Sequence, residues 1–266
     1  MTAEQFLDAA IQVARTVEAD LPRRTLSRYK PFLGFGFLVR QRRLAEAIRT
    51  LGTASAYEGR MLLRTMVEIY INYSWIRQDK GYSRAVRFIR FEPLERRQVL
   101  EDIKAVIPEQ RAAASLHRFE QERRATRHLF RVLDPKRNRH KWAGSWATIP
   151  SLRDRYVELL RLEAVKAKKP TSDVFTYGLY RWASSAVHGG PMSVSECITT
   201  TSSAGTVAKD QPERKPTAQL SSAATYLTAT AEWLVHDAKA RRQFAPAFKA
   251  VRGELRALLA SKPRGA

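Results

Sequence analysis

Residues 53 to 79 read TASAYEGRMLLRTMVEIYINYSWIRQD, the longest uninterrupted helical pattern in the chain, with no proline and one glycine, Gly59. At about 100° per residue, Met61, Leu62, Leu63, Met66, Val67, Ile69, Tyr70, Ile71, Tyr73, Trp75 and Ile76 cover most of the circumference. A helix that is apolar nearly all round has to be wrapped by other helices, so this stretch predicts the central helix of a bundle, capped by Thr53 or Ser55 and closed by Gly81.

Upstream, Thr2 and Gln5 have the spacing of a capping box, and Phe6, Ala10, Val13 and Val17 recur on one face until Leu21-Pro22 stops a helix over about 3–20. Pro31 opens the aromatic stretch Phe32 to Phe37, which leads into a short helix through Leu44 and Ile48 ending at Gly52. Downstream, Pro93 kinks or divides a helical stretch from Tyr82 to Ile107, and Pro108 starts another that reaches Leu133. Asp134 to Pro150 reads as a loop. Ser151 can cap a helix ending near 166–170, and Ser172 or Asp173 can cap Val174 to His188, stopped by Gly189-Gly190-Pro191. Residues 192–216 are β-prone and turn-rich, a short hairpin or a mobile loop, before closing helices over Thr217–Arg242 and Ala247–Ala260. The expected fold class is all-α, a single-domain helical bundle of roughly 8 to 10 helices. Residues 1–52 would pack on a core of 53–260, with 261–266 a disordered tail.

The 266 residues are 44% hydrophobic, enough for a sizeable core. One cysteine, Cys197, excludes an internal disulfide framework, and no Cys/His spacing suits structural zinc, so no metal or cofactor is expected. The longest apolar run, Phe32 to Val39, is far short of the roughly 20 residues of a membrane span, and the N-terminus lacks the pattern of a secretory signal. A cytoplasmic protein without membrane contact is the expectation. Lys and Arg number 47 against 26 Asp and Glu, a formal charge of +21 and a pI near 10.6. Such an excess attracts polyanions, RNA among them; arginine-rich coding from a GC-rich genome produces the same excess with no ligand.

Two constellations could carry chemistry. Arg60, Arg64 and Glu68 lie four apart on the otherwise apolar helix, on a stripe that continues to Asn72 and Trp75, and charge in such a place needs a partner. An Arg-Glu pair anchoring the bundle is one reading; a cleft is the other. The second set is Tyr177, Tyr180, Arg181, Ser184, Ser185 and His188, where seven residues at about 100° each put Arg181 and His188 on one face. A histidine in a last helical turn can also simply cap the free carbonyls. Lys136, Arg137, Arg139, Lys141 and Trp142 combine charge with an aromatic ring, suiting a phosphate backbone and a stacked base; the plainer reading is a solvated loop whose Trp142 and Trp146 tuck onto the core. No phosphate-binding glycine loop, dinucleotide fingerprint, Gly-x-Ser-x-Gly or His-Glu-x-x-His occurs.

Leu63-Arg64-Thr65-Met66-Val67-Glu68-Ile69, a tryptophan loop around Trp142, and Tyr180-Arg181-Trp182-Ala183-Ser184-Ser185-Ala186-Val187-His188-Gly189 together resemble a large bacterial family of unknown function. Its hallmark is a central Arg-x-x-x-Glu helix followed much later by Tyr, Ser and a helix-ending His-Gly. The resemblance spans about residues 55 to 240, and the family looks like a distant branch of the HEPN-like helical superfamily, which includes toxins and antiviral effectors that cut RNA. It implies metal-independent RNA cleavage, with His188 as general acid or base, Arg181 stabilising phosphoryl charge and Ser185 beside them. Arg64, Glu68, Tyr180 and Ser184 would line the same cleft, and Arg60 would join the basic loop in holding nucleic acid. Trp182 departs from the polar residue usual after the HEPN arginine. The resemblance also allows a homodimer and an antitoxin or other protein partner. From a different class, the same charge fits a non-catalytic helical module that binds nucleic acid or a partner protein through its basic surface.

Overall fold

The computed structural model describes residues 2–52, 55–103, 106, 109–134, 136–167, 174–187, 198–201, 205–208 and 217–260. It is all-α apart from two short antiparallel hairpins. The helices are α1 (Ala3–Asp20), α2 (Tyr29–Leu51), α3 (Ala56–Arg77), α4 (Ser83–Arg90), α5 (Glu92–Ile103), α6 (Glu109–Ala125), the single turn α7 (Arg127–Phe130), α8 (Leu152–Ala167), α9 (Val174–Val187), α10 (Thr217–Asp237) and α11 (Arg241–Ala260). Strands β1 (Arg131–Asp134) and β2 (Arg139–Trp142) follow α7, and β3 (Ile198–Thr201) and β4 (Gly205–Ala208) follow α9. Among the described residues no helix is long and apolar enough to cross a membrane.

The chain gathers into two compact units, one of Met1–Gln78 with Tyr156–Ala266 and one of Asp79–Arg155. In the larger unit α3 is the central helix that its apolar circumference predicts: Leu63, Met66, Val67, Ile71, Tyr73 and Ile76 are fully buried and point in several directions around the axis. It packs against α2, α9 and α10, while α1 packs against α2, α10 and α11. α1 begins with the expected capping box, in which Gln5 N–H donates to Thr2 Oγ1 and Thr2 N–H donates to Gln5 Oε1. Along the outside, Arg42 of α2 bridges Glu18 and Glu46 at 2.7 Å each, and Arg49 reaches Asp8 at 2.9 Å, so a charged ladder runs beside the apolar seam of α1 and α2.

α2 corrects the sequence reading. The aromatic stretch does not lead into a short helix but lies within one of 23 residues, with Pro31 in its first turn, where a missing N–H costs nothing. Gly34 suits this placement, because a Cβ there would lie 2.1 Å from the hydroxyl of Tyr73 on α3.

In the smaller unit the helix expected to continue to Leu133 stops at Ala125, where Thr126 turns its hydroxyl back to the carbonyl of Arg123 at 3.0 Å. After the turn α7, Val132 and Leu133 enter a strand, and part of the expected loop 134–150 is its partner, with Arg131 opposite Trp142 and Asp134 opposite Arg139. The turn is held by Asp134, whose carboxylate accepts from Lys136 N–H at 3.1 Å, and by Asn138 in the left-handed region at φ 45°. Pro93 divides α4 from α5, as its ring predicts, and occupies the first turn of the latter.

The hairpin reading of residues 192–216 holds in β3 and β4. The closing helices meet earlier than expected: Lys239 at φ 59° breaks the chain between Asp237 and Arg241, and α11 runs through Pro246.

Candidate functional site

α3 and α9 present their polar residues to each other. Tyr180 and Ser184 are four residues apart, hence neighbours on one stripe of α9. From α3 the guanidinium of Arg64 reaches both, donating from Nε to Ser184 Oγ at 3.0 Å and from Nη2 to the Tyr180 hydroxyl at 3.3 Å. Its carbon lies 5.4 Å from the Tyr180 ring centroid, so charge and ring also attract. Ser184 in turn donates to the carbonyl of Tyr180 at 2.7 Å, which fixes its hydroxyl oxygen as the acceptor for Arg64. All three side chains are half-buried. The Arg-Glu pairing along α3 does not form: Arg64 crosses to α9, and Glu68 makes no ion pair with a described residue.

Arg181 lies about 100° round α9 from Tyr180 and is exposed, with no hydrogen bond or ion pair to a described residue. His188 lies outside the described residues, as does the side chain of Ser185, so the structure brings together Arg64, Tyr180 and Ser184 of the expected set. Arg60 is a correction. It is 5% exposed, and a guanidinium buried to that degree is not displayed to a polyanion.

Lys136, Arg137, Arg139 and Lys141 are exposed on the β1–β2 hairpin. Lys141 pairs with Asp134 at 3.2 Å and holds that carboxyl below its usual range. Trp142 does not offer a free ring for a stacked base, since Arg123 sits 4.5 Å and Arg131 5.7 Å from its centroid. Trp146 is buried edge-on against Phe88, 4.9 Å between centroids, the core-seeking behaviour expected of the loop's tryptophans. Arg87 ties that core together, donating to the carbonyls of Trp146 and Leu129, and burial lowers the pKa of its guanidinium.

A second polar cluster escaped sequence reasoning. Asp237 at the end of α10 accepts from the Tyr73 hydroxyl at 3.1 Å and from Arg77 at 2.8 and 3.1 Å, while Arg77 lies 5.0 Å from the Trp233 ring. Burial, then the adjacent Asp237 charge, pushes the Tyr73 hydroxyl well above its usual pKa, so it stays a donor. Tyr73 and Arg77 are four apart and so share a face of α3, but their partner is about 160 residues away and no local spacing announces it. Among the described residues no group of three His, Cys, Asp or Glu gathers as metal ligands would.

Comparison with known families bears on the α3–α9 contact, because the model of a family of unknown function, DUF5677, matches residues 32–205, well over half of the chain. The chain belongs to the DUF5677 family. No curated protein and no solved structure matches it. The DUF5677 match begins earlier than the resemblance read from the motifs and ends sooner, within the β3–β4 hairpin. Arg64, Tyr180 and Ser184 all lie inside the DUF5677 segment, whereas Asp237, which holds Tyr73 and Arg77, lies beyond it.

Proposed function

We propose that this DUF5677 protein acts on RNA by metal-independent cleavage centred on α9, in the manner of HEPN ribonucleases. The observation that carries the reading is the division of labour between its arginines. Arg64 is spent on Tyr180 and Ser184 and holds α9 against α3, while Arg181 on the same helix is exposed and makes no hydrogen bond or ion pair with a described residue. An exposed guanidinium on an anchored helix can meet a phosphodiester and stabilise the charge that builds on its oxygens. In the reaction the ribose 2′-hydroxyl attacks the adjacent phosphorus, the bond to the 5′-oxygen breaks, and the products are a cyclic phosphate and a 5′-hydroxyl. His188 is assigned the proton transfer to or from these oxygens. Arg64, Tyr180 and Ser184 are positioning residues. The HEPN likeness extends the proposal to action in the cytoplasm, to a homodimer and to an antitoxin-type protein partner.

The test is cleavage of a mixed pool of cellular RNA in EDTA by the native protein, His188→Ala and Arg181→Ala, with circular dichroism to confirm the fold of each. Cleavage by the native protein that falls by about 100-fold or more in both variants is the expected result. Absence of cutting by a folded native protein overturns the reading. A second reading, a non-catalytic module binding through a basic surface, is favoured by the exposed charges of the β1–β2 hairpin.

A further inference from the structure

We infer that the 79–155 unit carries a reader of the nucleic-acid phosphate backbone, built from α7 and the β1–β2 hairpin, that binds without stacking bases. The inference rests on the reading that the protein acts on RNA, and concerns how the strand is held rather than how it is cut.

The charge of this unit is unevenly distributed. On α5 and α6 the arginines have acids one turn away: Arg96 pairs with Glu92, Arg97 with Glu101, Arg118 with Glu122 and Arg124 with Glu120. Such faces are self-neutralised and need no ligand. Beyond Glu122 the acids thin out. Residues 123–141 hold eight Lys and Arg and one acid, Asp134. That single carboxylate is committed, accepting from Lys136 N–H to close the turn and pairing with Lys141. Arg127, Lys136, Arg137 and Arg139 remain exposed, and their side chains make no ion pair or hydrogen bond with a described residue. Four like charges on one short stretch repel each other, and a polyanion relieves that repulsion while releasing its condensed counterions.

The mode of binding follows from Trp142. Proteins that hold single strands by their bases combine a basic groove with open aromatic faces. Here Trp142 is half-buried with Arg123 and Arg131 on its ring, so the surface offers cations without a stacking platform. Charges alone recognise phosphates and fix no sequence. Val132 and Leu133, both partly exposed on β1, are what an acidic protein would exploit instead.

The experiment is fluorescence anisotropy at several salt concentrations with full-length Arg181→Ala, to avoid cutting. The probes are a labelled 20-nucleotide oligouridylate, an abasic strand of the same length and, as competitor, poly-glutamate of equal charge. The uridylate and abasic strands are expected to bind within a few-fold of each other. Replacing Lys136, Arg137 and Arg139 together by Gln should reduce the slope of log K against log salt by about 2, at roughly 0.7 per phosphate contact on a single strand. An unchanged slope in that triple variant overturns the inference, as does a loss of about 10-fold or more on the abasic strand, the mark of stacking. Poly-glutamate competing as well as the oligonucleotide also overturns it, in favour of an acidic protein partner. The cleavage proposal fails separately: if the folded native protein does not cut RNA, the salt slopes are unaffected.

Discussion

The close approach of α2 to α3 depends on a single missing methyl group. Tyr73 is fully buried, its hydroxyl is fixed by Asp237, and its ring is flanked by Phe37 at 5.4 Å and Trp233 at 5.9 Å, so it has no room to move away from residue 34. Gly34→Ala is therefore expected to destabilise the protein by about 1–3 kcal/mol, the usual cost of overpacking, despite the better helix propensity of alanine. Urea unfolding checks it, and an unchanged midpoint would mean that Tyr73 can shift after all. At the same scale Arg64 and Arg77 show why half-buried arginines are poor guides to chemistry when read alone. One is used to hold α9 and the other to hold α10, and among the described residues a carboxylate partner is present only for the second.

At the scale of elements, the start of α4 has no side-chain cap from Tyr82, the residue immediately before it. Asp79 supplies the missing acceptor: its carboxylate takes Gly81 N–H at 3.1 Å, the Ser83 hydroxyl at 2.9 Å and Arg84 N–H at 3.0 Å. Burial alone would raise its pKa, but these donors outweigh it and the net shift is downward. Asp79→Ala is expected to cost about 1 kcal/mol, typical of a lost cap, measurable by thermal unfolding. The hairpins show the reverse relation between signal and element. Asp134 and Asn138 are good turn residues, but strands of four residues are too short for alternation to separate them from loop.

For the whole molecule, the depressed carboxyls set the response to acid. Burial raises the pKa of Glu46, but hydrogen bonds from Arg42 and Arg15 carry it below the usual value, and Asp79 is lowered as described above. A carboxyl with a lower pKa folded than unfolded contributes stability above the unfolded value, near 4, and that stability is lost as pH falls through the folded value. Stability is therefore expected to be level from about pH 5 to 7 and to decline below about pH 4. Denaturant midpoints across that range check it, and Glu46→Gln should flatten the decline. A protein whose midpoint did not fall below pH 4 would contradict these assignments.

The sequence by itself determined the elements whose causes are local. The capping box of α1, the break at Pro93 and the burial of α3 follow from side chains within one or two turns, because periodicity and backbone stereochemistry act over that range. It also made Arg64, Tyr180 and Ser184 candidates for one site, since the stripe on each helix was readable and a familiar motif linked them. The tertiary structure decided what those stripes face. That Arg64 spans to α9 instead of pairing with Glu68 and that Asp237 closes on Tyr73 and Arg77 are contacts between residues distant in the chain. Each depends on how helices pack, and side-chain spacing within a single helix carries no information about the neighbour it will meet.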